Sequence, residues 1–143
     1  MRSVRRHERL LMLHPKQFEV NEAWIAFRLN GAPIRTVVDG DFHCFALMDA
    51  ASCHILGSEL TPAADVEPST PQWRNLLKTG YDHHGQFPQT LFVPREQVAE
   101  DLIGEAARLN IEVVRVVEAE LLVFIGDARN GYAERFEEPN RDA

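Results

Sequence analysis

The sequence has little cysteine: Cys44 and Cys53 are the only two in 143 residues. That excludes a small secreted fold held by a disulfide framework, and a reducing cytoplasm is the expected compartment. Long apolar runs are also missing. The richest, Leu121 to Ile125, falls far short of the ~20 residues that a membrane-crossing helix needs, so no membrane role is expected. The opening MRSVRRHERLLMLHP has only a scrap of apolar core, Leu10 to Leu13, and no small-residue cleavage site, so it does not read as a secretory signal. There is no glycine-rich phosphate loop. Ser52, Ser58 and Ser69 lack the strand-turn-helix setting of a nucleophile elbow. No internal repeat or low-complexity segment is present.

What remains describes one ordinary domain. Hydrophobic residues make up 45% of the chain, enough for a real core. The net charge of −7 is unevenly spread: residues up to Arg35 carry +4 and the rest −11. An acidic body disfavours non-specific binding to nucleic acid, which draws its affinity from Lys and Arg on phosphates. The organisation read from these features is a basic N-terminal arm at residues 1–17, one α/β domain at 18–137 and an acidic tail at 138–143.

Glu22 to Leu29 alternates as a strand, with Trp24, Ala26 and Arg28 on one face and Ile25, Phe27 and Leu29 on the other. Asn30-Gly31 is a hairpin signal, Ile34 to Val38 the next strand and Asp39-Gly40-Asp41 a turn. Phe42 to Met48 and Cys53 to Leu60 complete an antiparallel meander. A proline-bearing loop, Thr61 to Pro71, follows. Thr70-Pro71 opens a helix with Trp73, Leu76 and Leu77 on one face, and Gly80 is expected to end it. Thr90 to Val93 is a buried strand, and Pro94 starts a helix reaching about Asn110, with Val98, Leu102, Ala106 and Leu109 inward. Ile111 to Val117 is a further strand. Glu118 to Phe136 ends as a helix, although ELLVFI at 120–125 also suits a strand. The expected fold is α+β with a mixed sheet: a meander of four strands, then helix-strand-helix-strand-helix. The late strand-helix-strand order implies a parallel pair joined by a right-handed crossover.

The stretch FHCFALMDAASCHILG places His43-Cys44 and Cys53-His54 in mirror order. With Asp49 and Ser52 flanking the turn, Leu47 faces His54 and Cys44 faces Gly57. The two cysteines then lie roughly 13 Å apart along the strand, and so do the two histidines. Neither pair can form a disulfide or share a zinc ion. A rival register, turning between Met48 and Asp49, would pair Cys44 with Cys53 and His43 with His54, but turn chemistry favours the first. The motif reads as packing, cysteines on one face and histidines on the other.

Asp82, His83 and His84 stand together as candidate metal ligands in a presumed loop. With Asp39-Gly40-Asp41 they resemble the strings of DHH-type phosphoesterases. The order of elements and the length of the chain depart from that two-domain architecture.

FALMDAASCHILGSEL resembles the central hairpin of integrase and transposase catalytic cores of the RNase H-like fold, and NGYAERF at 130–136 is similar to a motif of those enzymes whose glutamate binds metal. PQTLFVPREQVAEDLIGEAARLNIEV has the matching strand-helix-strand order. This resemblance implies an RNase H-like topology over residues 22–136, with Glu134 at the third metal-binding position. It leaves the acidic set degraded. WIAFRL offers no first aspartate, so Asp39 is the only substitute candidate, and Pro94 and Arg95 stand where the second acid should end TLFV. The expectation is a non-catalytic RNase H-like domain with no cofactor, acting on a protein partner or a second copy of itself, with the edge strand at Glu22 to Leu29 offered for pairing. One alternative is a nuclease or phosphoesterase whose divalent metal is held by Asp39, Asp82, His83 and Glu134. Another is a nucleic-acid adaptor working through the basic arm. Paired acids such as Glu118 and Glu120 read as a solvated edge, and Trp24 and Trp73 as core.

Overall fold

The structure is a computed structural model that describes residues 13–31, 33–35 and 40–137; the backbone of Phe136 and Glu137 is described without their side chains. Most of the expected N-terminal arm, Asp39 and the 138–143 tail lie outside the described residues. Among the described residues, six strands form one mixed sheet: β1 (Ala23–Arg28), β2 (Ile34–Arg35), β3 (Asp41–Asp49), β4 (Ile55–Pro62), β5 (Thr90–Pro94) and β6 (Glu112–Val116). Three α-helices of the described residues accompany them: α1 (Thr70–His84), α2 (Glu100–Arg108) and α3 (Leu122–Tyr132). A 3-10 turn, Glu118–Leu121, leads into α3, and a π-helical turn, Ala133–Glu137, follows it. The last segment is therefore helical. Its apolar residues Leu121, Phe124 and Ile125 repeat at helical spacing and bury one side.

Strand β3 pairs antiparallel with β4 on one edge and with β1 on the other. Strand β1 then pairs parallel with β5, and β5 parallel with β6. The spatial order is β4-β3-β1-β5-β6, with β2 extending the β1 side of β3. This bears out the mixed sheet and the parallel crossover read from the sequence. It corrects one part of that reading: Glu22 to Leu29 is no edge strand. Strand β1 is central, and every residue from Ala23 to Phe27 is 0% exposed. Among the described residues, the strands that end the ladder are β4 and β6.

Two cores result, one on each side of the sheet. Ile25, Phe27, Ala46, Met48 and Phe92 pack against Phe18 and α3. Trp24, Ala26, Leu47, Leu91 and Val93 pack against α1 and α2. Leu102 and Ala106 form the inner stripe of α2 together with Ala99. Val98 is 44% exposed, because Pro94 completes β5 and the chain turns through residues 95–98 before the helix begins.

Local side-chain chemistry sets three details that periodicity misses. The Asn30-Gly31 dipeptide makes no hairpin. The Asn30 side chain is buried and prolongs the ladder, accepting from Cys44 N at 2.8 Å and donating to Phe42 O at 3.3 Å. The β3–β4 turn is longer than either register assumed. Asp49, 1% exposed, accepts from Ser52 N at 2.9 Å, Ser52 Oγ at 2.8 Å and Asn21 N at 2.6 Å, and Cys53 takes a left-handed φ of 60°. Leu47 consequently faces Gly57, Cys44 faces Leu60 and His43 faces Thr61. The cysteines stay free, and both pack on the Phe27 side of the sheet.

Helix α1 is the third detail. Ser69 rather than Thr70 caps it, in a reciprocal bond with Gln72. Gly80 does not end it; Gly85 does, at φ 70°. Gly80 serves packing instead. A Cβ there would lie 2.7 Å from the Trp24 ring and 2.9 Å from Leu47. In an open helix interior, alanine for glycine stabilises by roughly 1 kcal/mol. Gly104, on α2 with no atom near its missing Cβ, should follow that rule. Gly80→Ala should instead destabilise by about 1–2 kcal/mol through overpacking. Urea denaturation of both variants checks this, and equal stabilisation of the two would contradict the packing assigned to Gly80.

Candidate functional site

In sheets with parallel strands, ligands collect beyond the carboxyl ends, where connections leave in different directions. Here the carboxyl ends of β1 and β5, with the turn after β6, border a pocket of about 440 Å³. Arg28, the last residue of β1, lines it, His43 comes from β3, Glu96 and Gln97 from the turn after β5, and Glu118 and Arg129 from the final helical segment. Phe45, Val66 and Val98 supply apolar wall.

Arg129 organises this site. Its Nη1 donates to Glu118 Oε2 at 2.8 Å and its Nη2 to Glu118 Oε1 at 3.3 Å. Nε and Nη2 also donate to the Arg28 carbonyl at 3.1 and 2.8 Å, and the guanidinium lies 5.9 Å over the Phe27 ring. A planar fork that serves a carboxylate and a carbonyl together is a role lysine could not fill. The hydrogen bonds from Arg129 hold the Glu118 carboxyl below the usual carboxylate range, against partial burial that acts the other way. Glu118 N donates to Glu96 Oε1 at 3.0 Å, and Arg28 N to Gln97 Oε1 at 3.2 Å. Burial, aided by the charge of Arg28, pushes the His43 imidazole down from its ordinary value.

The residues singled out from sequence are scattered. Asp39 lies outside the described residues. Glu134 is exposed on the turn after α3 and does not line the pocket. Asp82, His83 and His84 sit on the last turn of α1, not in a loop, across the sheet from α3. Asp82 pairs with Lys78 at 3.3 Å, and the His83 Nε2 lies 3.1 Å from Leu56 O. His54 meets His83 edge-on, their centroids 5.8 Å apart, so the two histidine motifs touch each other. Among the described residues, no group of three or more His, Cys, Asp or Glu is placed to hold a metal ion. Asp82, His83 and Glu134 therefore do not converge as the variant metal site required. Glu118, read from sequence as solvated edge, is the carboxylate of this segment that reaches the pocket. Its partners Arg28 and Arg129 lie 90 and 11 positions away, and no sequence period links them.

No protein-family model and no curated protein matches the chain. Among solved structures, it is similar to a chain of the simian T-cell lymphotropic virus intasome in complex with the PP2A regulatory subunit B56 gamma, with a TM-score of 0.55 and 10% identity. The match covers 80% of this chain and 39% of that one, so the protein spans about two fifths of its neighbour's length. A chain of the Mos1 strand transfer complex matches with a TM-score of 0.48 and 13% identity, over 79% of this chain and 41% of that one.

Removing the Arg129 fork should be costly. Arg129→Ala leaves Glu118 and the Arg28 carbonyl without their donor, a loss of about 2–3 kcal/mol in denaturant unfolding. Glu118→Gln keeps the shape and should cost about 1 kcal/mol at neutral pH, since the pair is partly exposed. Because the folded carboxyl sits below its unfolded value, this increment is present above the ordinary carboxylate range and is lost as pH falls through the lowered value. The wild-type and Glu118→Gln stability curves should therefore converge at acid pH; parallel curves would show that Arg129 does not bind the carboxylate. Strand order, crossover and the intasome likeness together make this chain a mixed α+β domain of the RNase H-like fold.

Proposed function

We propose that the chain is a binding domain built on the RNase H-like fold, without metal-assisted phosphoryl transfer. One observation carries this reading: the pocket at the strand ends presents Arg28 and an Arg129–Glu118 pair. Two-metal catalysis needs carboxylates that converge on the cations. Glu118 is already engaged by a guanidinium, and Arg28 adds a second positive charge. A divalent ion about 5 Å from one guanidinium meets repulsion on the order of several kcal/mol at an effective dielectric near 20.

The partner in this reading is a protein or a second copy of the chain. Among the described residues, strands β4 and β6 each pair on one side only, and Leu122 and Val123 on α3 are 49% and 50% exposed. Open edges and exposed apolar side chains suit association.

The test combines thermal denaturation with magnesium, manganese and zinc and a hydrolysis assay on single- and double-stranded DNA and RNA. No ion-specific stabilisation and no hydrolysis is the expected outcome. Metal-dependent cleavage that disappears in Glu118→Gln would overturn the proposal.

A further inference from the structure

The edges of the sheet differ in what they leave open. Along β4, Ala63 N donates to Asp41 O at 2.7 Å, and the register sets His43 opposite Thr61 and Phe45 opposite Glu59. Antiparallel bonding alternates, so Thr61, Glu59 and Gly57 bond inward, and Pro62, Leu60, Ser58 and Leu56 face outward. That outer row is largely closed. Pro62 has no N–H. Gln72 Nε2 donates to Leu60 O at 2.8 Å, and His83 Nε2 lies 3.1 Å from Leu56 O, a contact that only a donated hydrogen satisfies. Side chains of α1 thus cover the β4 edge on both sides of Ser58, which guards it against strand addition.

Strand β6 has no such cover. Glu112 N donates to Gln89 O at 3.1 Å, and Arg95 N to Val116 O at 2.7 Å. In the parallel register, this turns the backbone groups of Glu112, Val114 and Val116 towards β5, and those of Val113 and Arg115 outward. Among the described residues, nothing bonds the outward N–H and C=O of Val113 and Arg115. Val113 and Val114 are half-buried, one on each face of the sheet. The Arg115 guanidinium is drawn away to the carbonyls of Pro94, Arg95 and Gln97, so its charge does not block the edge.

We propose that β6 pairs antiparallel with β6 of a second copy of the chain, about a two-fold axis at Val114, so that the two sheets become continuous. The register follows from the chain's own bonding. Centred on Val114, Val113 exchanges N–H and C=O with Arg115 of the other copy, and Arg115 does so with the other Val113. Every outward group is then satisfied. A centre at Val113 would call on Ile111, whose N–H already bonds Ala106 O at 2.9 Å. A centre at Arg115 would call on Val117, whose C=O already accepts from Glu120 N at 2.9 Å, and would set two arginines directly opposite. The contact is isologous and closes at two copies, because each chain offers β6 once.

The proposal rests on the binding reading above and names the partner and the edge. A contact between five-residue strands is small beside the roughly 1,600 Å² of a standard interface, so the dimer is weak and reversible.

Sedimentation velocity of the full chain, from about 10 µM to 1 mM at physiological ionic strength, should show a monomer–dimer equilibrium. Amide hydrogen exchange at Val113 and Arg115 should slow as concentration rises, and exchange at Ser58 on β4 should not. Val114→Lys and Val114→Glu each set like charges opposite one another on the axis, and each should weaken the dimer at least about tenfold. An equimolar mixture of the two variants should restore it. A monomer at every concentration would overturn the proposal. So would a dimer undiminished in both variants, or exchange at Val113 and Arg115 that does not depend on concentration. Each of those failures leaves the binding reading standing on another surface; metal-dependent cleavage would remove that reading whatever the oligomeric state.

Discussion

The structure depends on a strand buried on both faces. Ala23 to Phe27 lie at 0% exposure, between β3 on one edge and β5 on the other. Its even-numbered side chains enter the core under α1 and α2, and its odd-numbered ones the core beside α3. A carboxylate inside such a strand would lose its hydration and need partners or metal to offset the loss. This sequence instead puts tryptophan, isoleucine, alanine and phenylalanine there. The first charge that β1 can carry is Arg28, where the strand leaves the sheet at the pocket.

Placing an arginine at that position changes what the end of the sheet can do. The backbone of Arg28 is held by Gln97 from one side and Arg129 from the other. Arg129 in turn engages Glu118, which closes the β6–α3 connection over the pocket. The ends of β1 and β5 and the last helical segment are thereby tied together by guanidinium chemistry at a place that, in a metal-dependent enzyme, would need free carboxylates. The fold is kept, with a guanidinium and a carboxylate paired at this end of the sheet.

The alternation in WIAFRL was legible, and so was the strand-helix-strand order that yields the parallel pair. Much of the rest depends on contacts between distant residues. Gly80 and Gly85 look alike as helix terminators, and only the Trp24 ring packed against Gly80 distinguishes them. The β3–β4 register turns on one carboxylate, Asp49, whose bonds to Asn21 and Ser52 lengthen the turn. Asn30 reads as a turn residue until Cys44 and Phe42 are seen to use its amide. The candidate site was the least legible part. The string Asp82-His83-His84 looks like a cluster, but successive residues on a helix point about 100° apart. Glu118 looked solvated because its partner lies on a helix whose existence was itself in question.

The central claim is that the pocket at the carboxyl ends of β1 and β5 is governed by Arg28 and the Arg129–Glu118 pair, and so rejects divalent cations. Titrating manganese into the isotope-labelled chain tests it most directly, because a bound paramagnetic ion broadens the signals of nearby amides. The account predicts no selective broadening at Glu96, Gln97 or Glu118. Stoichiometric, localised broadening of those three, reversed by magnesium, would contradict it.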